Sequence, residues 1–343
     1  MSIQHLDPVI DSQWDSKIAN FSMASFFQSS LWAKVLCASY HYNSHYFADI
    51  APYEIKALIP MMEINSWITG RRGVSLPFSD ECEPLCTDSD LFLKLFHEAK
   101  IFGSKRSWQF FEFRGGKEWL RGATPFESYF GHRLDLRKSQ ESLFKCLHNS
   151  TKGALLKASS LGLLVEFSQR LDDLYIYDLM CKARRRQGLP PQPYKFFKNI
   201  YRYVFAANHG CIALARLEGK PIAGAIFFHF KNRVIYKFAA SAEKFRTLYP
   251  NNLILWKAIL WHQHRGFDIL EFGRTPESNH GLRKFKLNWN AEEYKIDYFR
   301  YNVRTKNFTK PKKRSSRMGF PIFKLFPISL SKIVGAALYK HVG

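Results

Sequence analysis

Two short runs in this sequence, FFEFRGG at residues 110–116 and ILEFGRT at 269–275, each leave an apolar strand through a glycine, and each closes the same series of elements. Ahead of the first come the strand-like runs SHYFADI, IKALIPMMEI and GVSLPF, then DSDLFLKLFHEAKIFG, a helical pattern with an Asp start and a Gly stop. Ahead of the second come CIALARL, PIAGAIFFHF and VIYKFAA, joined by the turns EGK and KNR. PNNLILWKAILWHQHRG follows, where Pro250 opens a helix, Leu253, Trp256, Ile259 and Leu260 share a face, and Gly266 stops it. Strand, turn, strand, strand, helix, strand therefore occurs twice, which predicts a duplicated α/β unit with mixed sheets. The 343 residues divide accordingly into domains 1–150 and 151–303 and a tail, 304–343. PFESYFGHRLDL is expected to add an edge strand to the first domain. SSLWAKVLCASY, Leu171 to Gln187 and Tyr194 to Ala207 read as helices, the last two separated by the prolines of GLPPQP.

Charge narrows the partners. Fifty-one Lys and Arg against 29 Asp and Glu give a net charge of +22, which favours nucleic acid, phosphorylated substrates or an anionic membrane surface. The six cysteines are scattered, as in a reducing compartment, and Cys82 and Cys86 lack the second Cys or His pair that a tetrahedral zinc site needs. Neither a metal nor a cofactor is expected. The opening MSIQHLDPVIDSQWDS has no basic-then-apolar leader pattern, and no window offers eighteen uninterrupted apolar residues, so a cytoplasmic location is expected. Dinucleotide, Walker, G-x-S-x-G and H-E-x-x-H motifs are absent, which removes the usual sequence support for hydride transfer, nucleotide hydrolysis and serine-hydrolase chemistry.

Four clusters could carry chemistry. In YKFAASAEKFRTLYPNN a strand bearing Lys237 and Ser241 runs into the helix at Pro250, whose first N–H groups attract anions; Asn251 and Asn252 either add donors or merely cap the helix. EFGRTPESNHGLRKFKLNWNAEE presents Arg274, Asn279, His280, Arg283, Lys284 and Lys286 beside that helix, provided the last strand pairs next to the strand before it. ARRRQGLPPQP ends a helix with Arg184, Arg185 and Arg186, either as complements to its C-terminus or as a polyanion grip, and Arg185 and Gln192 of this run are substrate-binding candidates. SLPFSDECEPL sets Asp80 after a strand, either as a turn residue or as a carboxylate able to take a proton from an amine. In the tail, RTKNFTKPKKRSSR packs seven Lys and Arg into fourteen residues. Leu330, Ile333, Val334, Ala337, Leu338 and His341 would then share one helical face, which suits either docking on the protein or an anionic membrane.

The blocks SFFQSSLWAKVL, GRRGVSLPFSD, RRRQGLPPQP, YKFAAS, LYPNNLILWKAI, FGRT and GLRKFKLNWNA, in this order, resemble the FemAB-like aminoacyltransferases of bacterial cell-wall assembly, within the wider GNAT-like acyltransferases. The likeness spans about residues 20 to 300 and extends to the FemAB-related proteins of exosortase and exopolysaccharide loci. It implies two tandem GNAT-like domains of the acyl-CoA N-acyltransferase type. It also implies transfer of an acyl group to an amine, with an anionic donor, no metal and no covalent intermediate. The bridge-forming members use aminoacyl-tRNA and a muropeptide precursor, and their lysine in a Phe-Lys step serves the charge developing at the attacked carbonyl; Phe285-Lys286 matches it. HNSTKGALLKASSLGLLVEF keeps only Lys152 and Lys157 where relatives carry an arginine-rich helix. A coiled-coil arm for tRNA and the acetyl-CoA signature are both missing, so the donor stays open among aminoacyl-tRNA, acyl-CoA and acyl carrier. The expectation is an acyltransferase acting on a peptidoglycan or exopolysaccharide precursor, with Lys286 and Asp80 catalytic and the tail at the inner face of the cytoplasmic membrane. An acyl-CoA- or carrier-dependent N-acyltransferase and a non-catalytic RNA- or polyanion-binding module are the alternatives.

Overall fold

The structure, a computed structural model, describes residues 3–51, 54–170, 175–311 and 320–343. The first series runs β1 (Ile3–Leu6), α1 (Trp14–Ala19), α2 (Ser30–Tyr40), β2 (Asn43–Ala51), β3 (Glu54–Ser66), β4 (Gly70–Val74), β5 (Leu85–Cys86), α3 (Ser89–Lys105) and β6 (Phe110–Arg114). β2, β3 and β4 pair antiparallel, and the crossover through α3 brings β6 parallel to β4. Asp88 caps α3 by accepting from the Leu91 N–H at 2.9 Å. The expected Gly stop fails: α3 continues past Gly103, which is buried because a Cβ there would meet the Phe111 ring. Close helix-to-sheet approach, and not chain termination, requires this glycine. Leu91, Phe92, Leu95, Phe96 and Ala99 face Phe47, Ile59, Phe111 and Phe113 in the core beneath it.

The second series repeats the scheme. After β7 (Glu127–Asp135), α4 (Gln140–Cys146), α5 (Asn149–Ser160), β8 (Leu164–Ser168), α6 (Tyr175–Arg186) and α7 (Tyr194–Ile200) come three antiparallel strands. These are β9 (Gly210–Leu217), β10 (Lys220–Phe230) and β11 (Arg233–Ser241). α8 (Pro250–Gln263) then crosses to β12 (Ile269–Glu271), parallel to β11. β13 (Thr275–Pro276), α9 (His280–Leu287), β14 (Glu292–Asn302), β15 (Asn307–Phe308) and α10 (Ile328–Val342) complete the chain. Leu253, Ile254, Ile259 and Leu255 of α8 are buried against Ala213, Ala225, Phe227 and Val234. The expected helix from Leu171 begins at Tyr175, residues 171–174 lying outside the described residues.

The free edge of each crossover strand is filled by a strand from elsewhere in the sequence. β7, expected as an edge strand of the first series, instead pairs antiparallel with β12, at Ile269↔Asp135, Leu270↔Leu134 and Glu271↔Arg133. β14 pairs antiparallel with β6, from Tyr298↔Arg114 to Asn302↔Phe110. Two compact units result: Met1–Tyr129 with Lys295–Ser315 and Leu338–Gly343, and Phe130–Tyr294 with Ser316–Ala337. They divide at 129 and 294 instead of the expected 150 and 303, because strand pairing and not chain order decides membership.

The tail departs from its expected amphipathic face. α10 buries Ser331, Gly335 and His341 and leaves Leu330 and Ile333 exposed. Its first part belongs to the second unit, where Lys332 pairs with Asp178 at 2.9 Å and Gly335 lies on the Pro191 carbonyl. Its last residues belong to the first unit, where the Arg72 guanidinium donates to the carbonyls of His341 at 2.8 Å and Val342 at 3.1 Å. A buried cation there satisfies carbonyls that a helix end leaves without partners. Residues 312–317 of the basic run, with four of its seven Lys and Arg, lie outside the described residues. Gly335→Ala would drive a Cβ into the Pro191 carbonyl oxygen, an overpacking that costs about 1–3 kcal/mol. Limited proteolysis should therefore cut between residues 320 and 337 about tenfold faster or more in this variant, with the far-UV spectrum retained.

Candidate functional site

The second unit opens a gap in its own sheet. β11 and β12 run parallel over three register pairs only, from Arg233↔Ile269 to Ile235↔Glu271. β11 then continues to Ser241 along β10, while the chain after β12 follows β7, the Phe272 N–H donating to the His132 carbonyl at 3.0 Å. The strands thus part at their C-terminal ends, where open α/β sheets bind ligands. A bulge marks the start of the parting: Ile226 faces Phe238 and Phe227 faces Tyr236, so Lys237 is the extra residue of β11. From the same end of β11 the chain leads into α8, whose Tyr249 takes a left-handed φ of 54° before Pro250.

Because β11 and β12 are parallel neighbours, the condition for bringing the second cluster beside α8 is met. Asn251 and Asn252 lie within the first turn of α8 and do not cap it. Asn251 Nδ2 donates to Ser241 Oγ at 3.4 Å, and its buried Oδ1 has no hydrogen-bond partner. Across the gap, Gly273 adopts a φ of +67° that favours glycine, and its carbonyl accepts from Lys286 Nζ at 2.8 Å. The Arg274 carbonyl accepts from the same Nζ at 3.4 Å. Lys286 is buried in the last turn of α9, so the structure joins Lys286, Gly273 and Arg274 in one turn of chain.

A network of which the sequence singled out only Arg283 fixes α9. Arg283, one turn before Lys286, forms a two-pronged pair with Glu293 at 2.8 and 2.6 Å and lies 3.9 Å over the Phe130 ring. Glu293 also accepts from His132 Nε2 at 3.0 Å, which puts the proton on Nε2. His132 Nδ1 and Thr275 Oγ1 are buried without hydrogen-bond partners. Such atoms require an explanation, and a site that receives a polar ligand supplies one. Burial, then the neighbouring Lys286 ammonium, pushes the His132 imidazole down to about 4, against the opposing pull of Glu293. No motif could have revealed this set, because His132, Arg283 and Glu293 come from three elements.

The remaining candidates are dispersed. Asn279 is the cap of α9, its side chain accepting from the Leu282 N–H at 3.1 Å, while His280 and Lys284 are exposed on that helix. Arg185 is half-buried at the end of α6, and its neighbour Arg186 pairs with Glu243 at 3.6 Å. Gln192 is buried, its carbonyl accepting from the Tyr177 hydroxyl at 3.2 Å. Asp80 belongs to the first unit, at the end of a loop pinned by Arg114 on the Leu76 and Ser79 carbonyls; its own carbonyl accepts from the Tyr298 hydroxyl at 2.6 Å.

Residues 149–295 match the family described as acetyltransferase (GNAT) domain. A search of curated proteins finds no match to the chain. Among solved structures, FemX is similar at 14% identity and a TM-score of 0.73, over 89% of this chain and 98% of that one. A tandem GNAT protein from the clavulanic acid biosynthesis pathway is similar at 11% identity and 0.56, over 88% and 98%. The C-terminal domain of a putative lysylphosphatidylglycerol synthetase from Agrobacterium fabrum is similar at 13% and 0.53, over 85% and 91%. The fold is thus that of two GNAT-like units, and the match to the acetyltransferase family falls on the second.

The electrostatics of this site are open to measurement. In the unfolded chain a histidine titrates near 6.5, whereas folded His132 does so at about 4. Its neutral burial therefore favours the folded state fully above about pH 6.5, and that advantage is lost as pH falls toward 4. In an NMR titration His132 should stay neutral to about pH 4, and Lys286→Met should raise its midpoint by removing a nearby cation. An unchanged midpoint would separate the two side chains electrostatically.

Proposed function

We propose that this chain, whose residues 149–295 carry a GNAT acetyltransferase domain, is an acyltransferase that moves an aminoacyl or other acyl group onto an amine of a cell-envelope precursor. The observation that carries this reading is the parting of β11 and β12, with the N-terminus of α8 following one strand and buried Lys286 held on the chain that leaves the other. Oriented N–H groups at a helix start suit a phosphate or carboxylate of the donor. Arg274, with a planar fork, suits the same anion.

In the proposed reaction the amine nitrogen bonds to the acyl carbon, the carbonyl oxygen takes the negative charge, and the ester or thioester bond then breaks. The leaving alcohol or thiol gains the proton that the amine gives up, so the step is balanced without another reactant. Lys286 stabilises the oxyanion, which forms only in the transition state. An aminoacyl donor is supported by the shared fold with a protein named a lysylphosphatidylglycerol synthetase. Aminoacyl-tRNA and acyl thioester are told apart by which of them the purified protein retains on a filter. Retention of RNA without any transfer would favour the non-catalytic reading.

Lys286→Met should lower turnover by about 10²–10³-fold with donor affinity nearly unchanged. A loss confined to affinity would make Lys286 a substrate clamp.

The proposed acceptor is an envelope precursor, and the surface near the C-terminus suits a lipid-bound one. Among the described residues no helix is long and apolar enough to cross a membrane. In the second unit Phe320, Ile322, Leu325 and Ile333 are exposed, Leu325 at 84%, beside Lys324 and in a tail without acidic residues. Apolar side chains among cations fit the headgroup layer of an anionic bilayer. Leu325→Glu with Ile333→Glu should abolish sedimentation with phosphatidylglycerol vesicles and leave turnover on a soluble acceptor intact; sedimentation equal to that of the unaltered protein would remove the membrane from this account.

A further inference from the structure

Away from the parting strands, the second unit brings together three side chains that the proposed reaction does not use: Cys211 of β9, His229 of β10 and His262 of α8, all buried. Their meeting follows from register. Cys211 lies opposite Phe227, and His229, two residues further along β10, points to the same face of the sheet. α8 packs on that face and brings His262 down onto the Phe227 ring, 5.2 Å between centroids.

The ligand atoms converge. His229 Nε2 and His262 Nε2 are 2.9 Å apart, and Cys211 Sγ lies 3.9 Å from the first and 4.0 Å from the second. A tetrahedral zinc ion with nitrogens at about 2.0–2.1 Å and sulfur at about 2.3 Å would set these separations to about 3.4 Å and about 3.6 Å. Shifts of about half an ångström would make the fit. We infer that Cys211, His229 and His262 form a binding site for a single metal ion of the zinc class, which accepts imidazole and thiolate together.

The surroundings support this. The Ala258 carbonyl accepts from His262 Nδ1 at 2.7 Å, which fixes the tautomer and turns the Nε2 lone pair inward. The Asn208 backbone carbonyl likewise hydrogen-bonds His229. Backbone carbonyls behind both imidazoles are the usual supports of ligating histidines. A thiol ligates as its thiolate, so one divalent ion enters, one thiol proton leaves, and a metal–sulfur bond replaces the S–H bond of Cys211. A cavity of about 430 Å³, lined by Cys211, His229, Gln169, Asn208, Trp261 and Arg265, borders two of the three ligands and leaves room for a fourth. The Arg265 guanidinium on this cavity favours an anionic fourth ligand, hydroxide or chloride. The ion would tie the C-terminal end of α8 to β9 and β10.

The full chain, stripped with chelator and titrated with Co(II) and Zn(II), should take up one ion per chain and release one proton per ion. The cobalt form should show thiolate-to-metal absorption and the visible bands of tetrahedral geometry. Cys211→Ser should lose that absorption, and His262→Gln should bind about 100-fold more weakly or worse. X-ray absorption on the unaltered zinc-loaded protein needs no variant to fold and should show one sulfur with two imidazoles. A zinc shell without sulfur or with more than one, thiolate absorption that survives Cys211→Ser, or no uptake would each overturn the assignment.

Discussion

A strand that returns parallel after a helical crossover still has one edge of unpaired N–H and C=O groups, and burying that edge without partners would cost more than any side-chain contact could restore. In this protein the edge of β6 is met by β14 and the edge of β12 by β7. Each series thus borrows its closing strand from beyond its own stretch of sequence. The parting of strands in the second unit depends on this pairing. It is β7 that draws the chain after β12 away from β11, and so creates the gap at which Lys237, Gly273 and Lys286 are placed.

Local pattern made the two series legible. The apolar runs of β2, β3, β9 and β10, the Asp88 cap and Pro250 each act over a few residues, and each formed where the sequence put it. What pairs across long separations was not legible. β7 has the alternation of an edge strand, and nothing in its residues says which crossover strand it will meet. Gly103 reads as a helix stop because glycine usually is one, yet the bulk of Phe111 on another element decides its place. In α10 the apolar residues suggested one docking face, while the size of Gly335 against Pro191 selected another.

The site was partly legible for the same reason. FGRT and the Phe285-Lys286 step are contiguous, so the turn and the lysine could be singled out together, and the structure joins them through the Gly273 carbonyl. His132, Arg283 and Glu293 meet only once β7, α9 and β14 are in place. Cys211, His229 and His262 are separated by 17 and 32 intervening residues, spacings that belong to no metal motif. Asn279 shows the opposite failure: a polar residue in a promising loop whose side chain is used as a helix cap.

The exchanged strands also govern the order in which the protein can come into being. On a ribosome the N-terminal part of a chain emerges first and usually folds as a unit before the rest is made. Here residues 1–114 emerge early but cannot cover the outer edge of β6 until residues 298–302 have been synthesised. The second unit holds all of its strands by residue 294, β7 having been made in advance. The half that is translated first is therefore the half completed last, and through most of synthesis it carries an open β-edge, the kind of surface on which holding factors act and on which nascent chains aggregate.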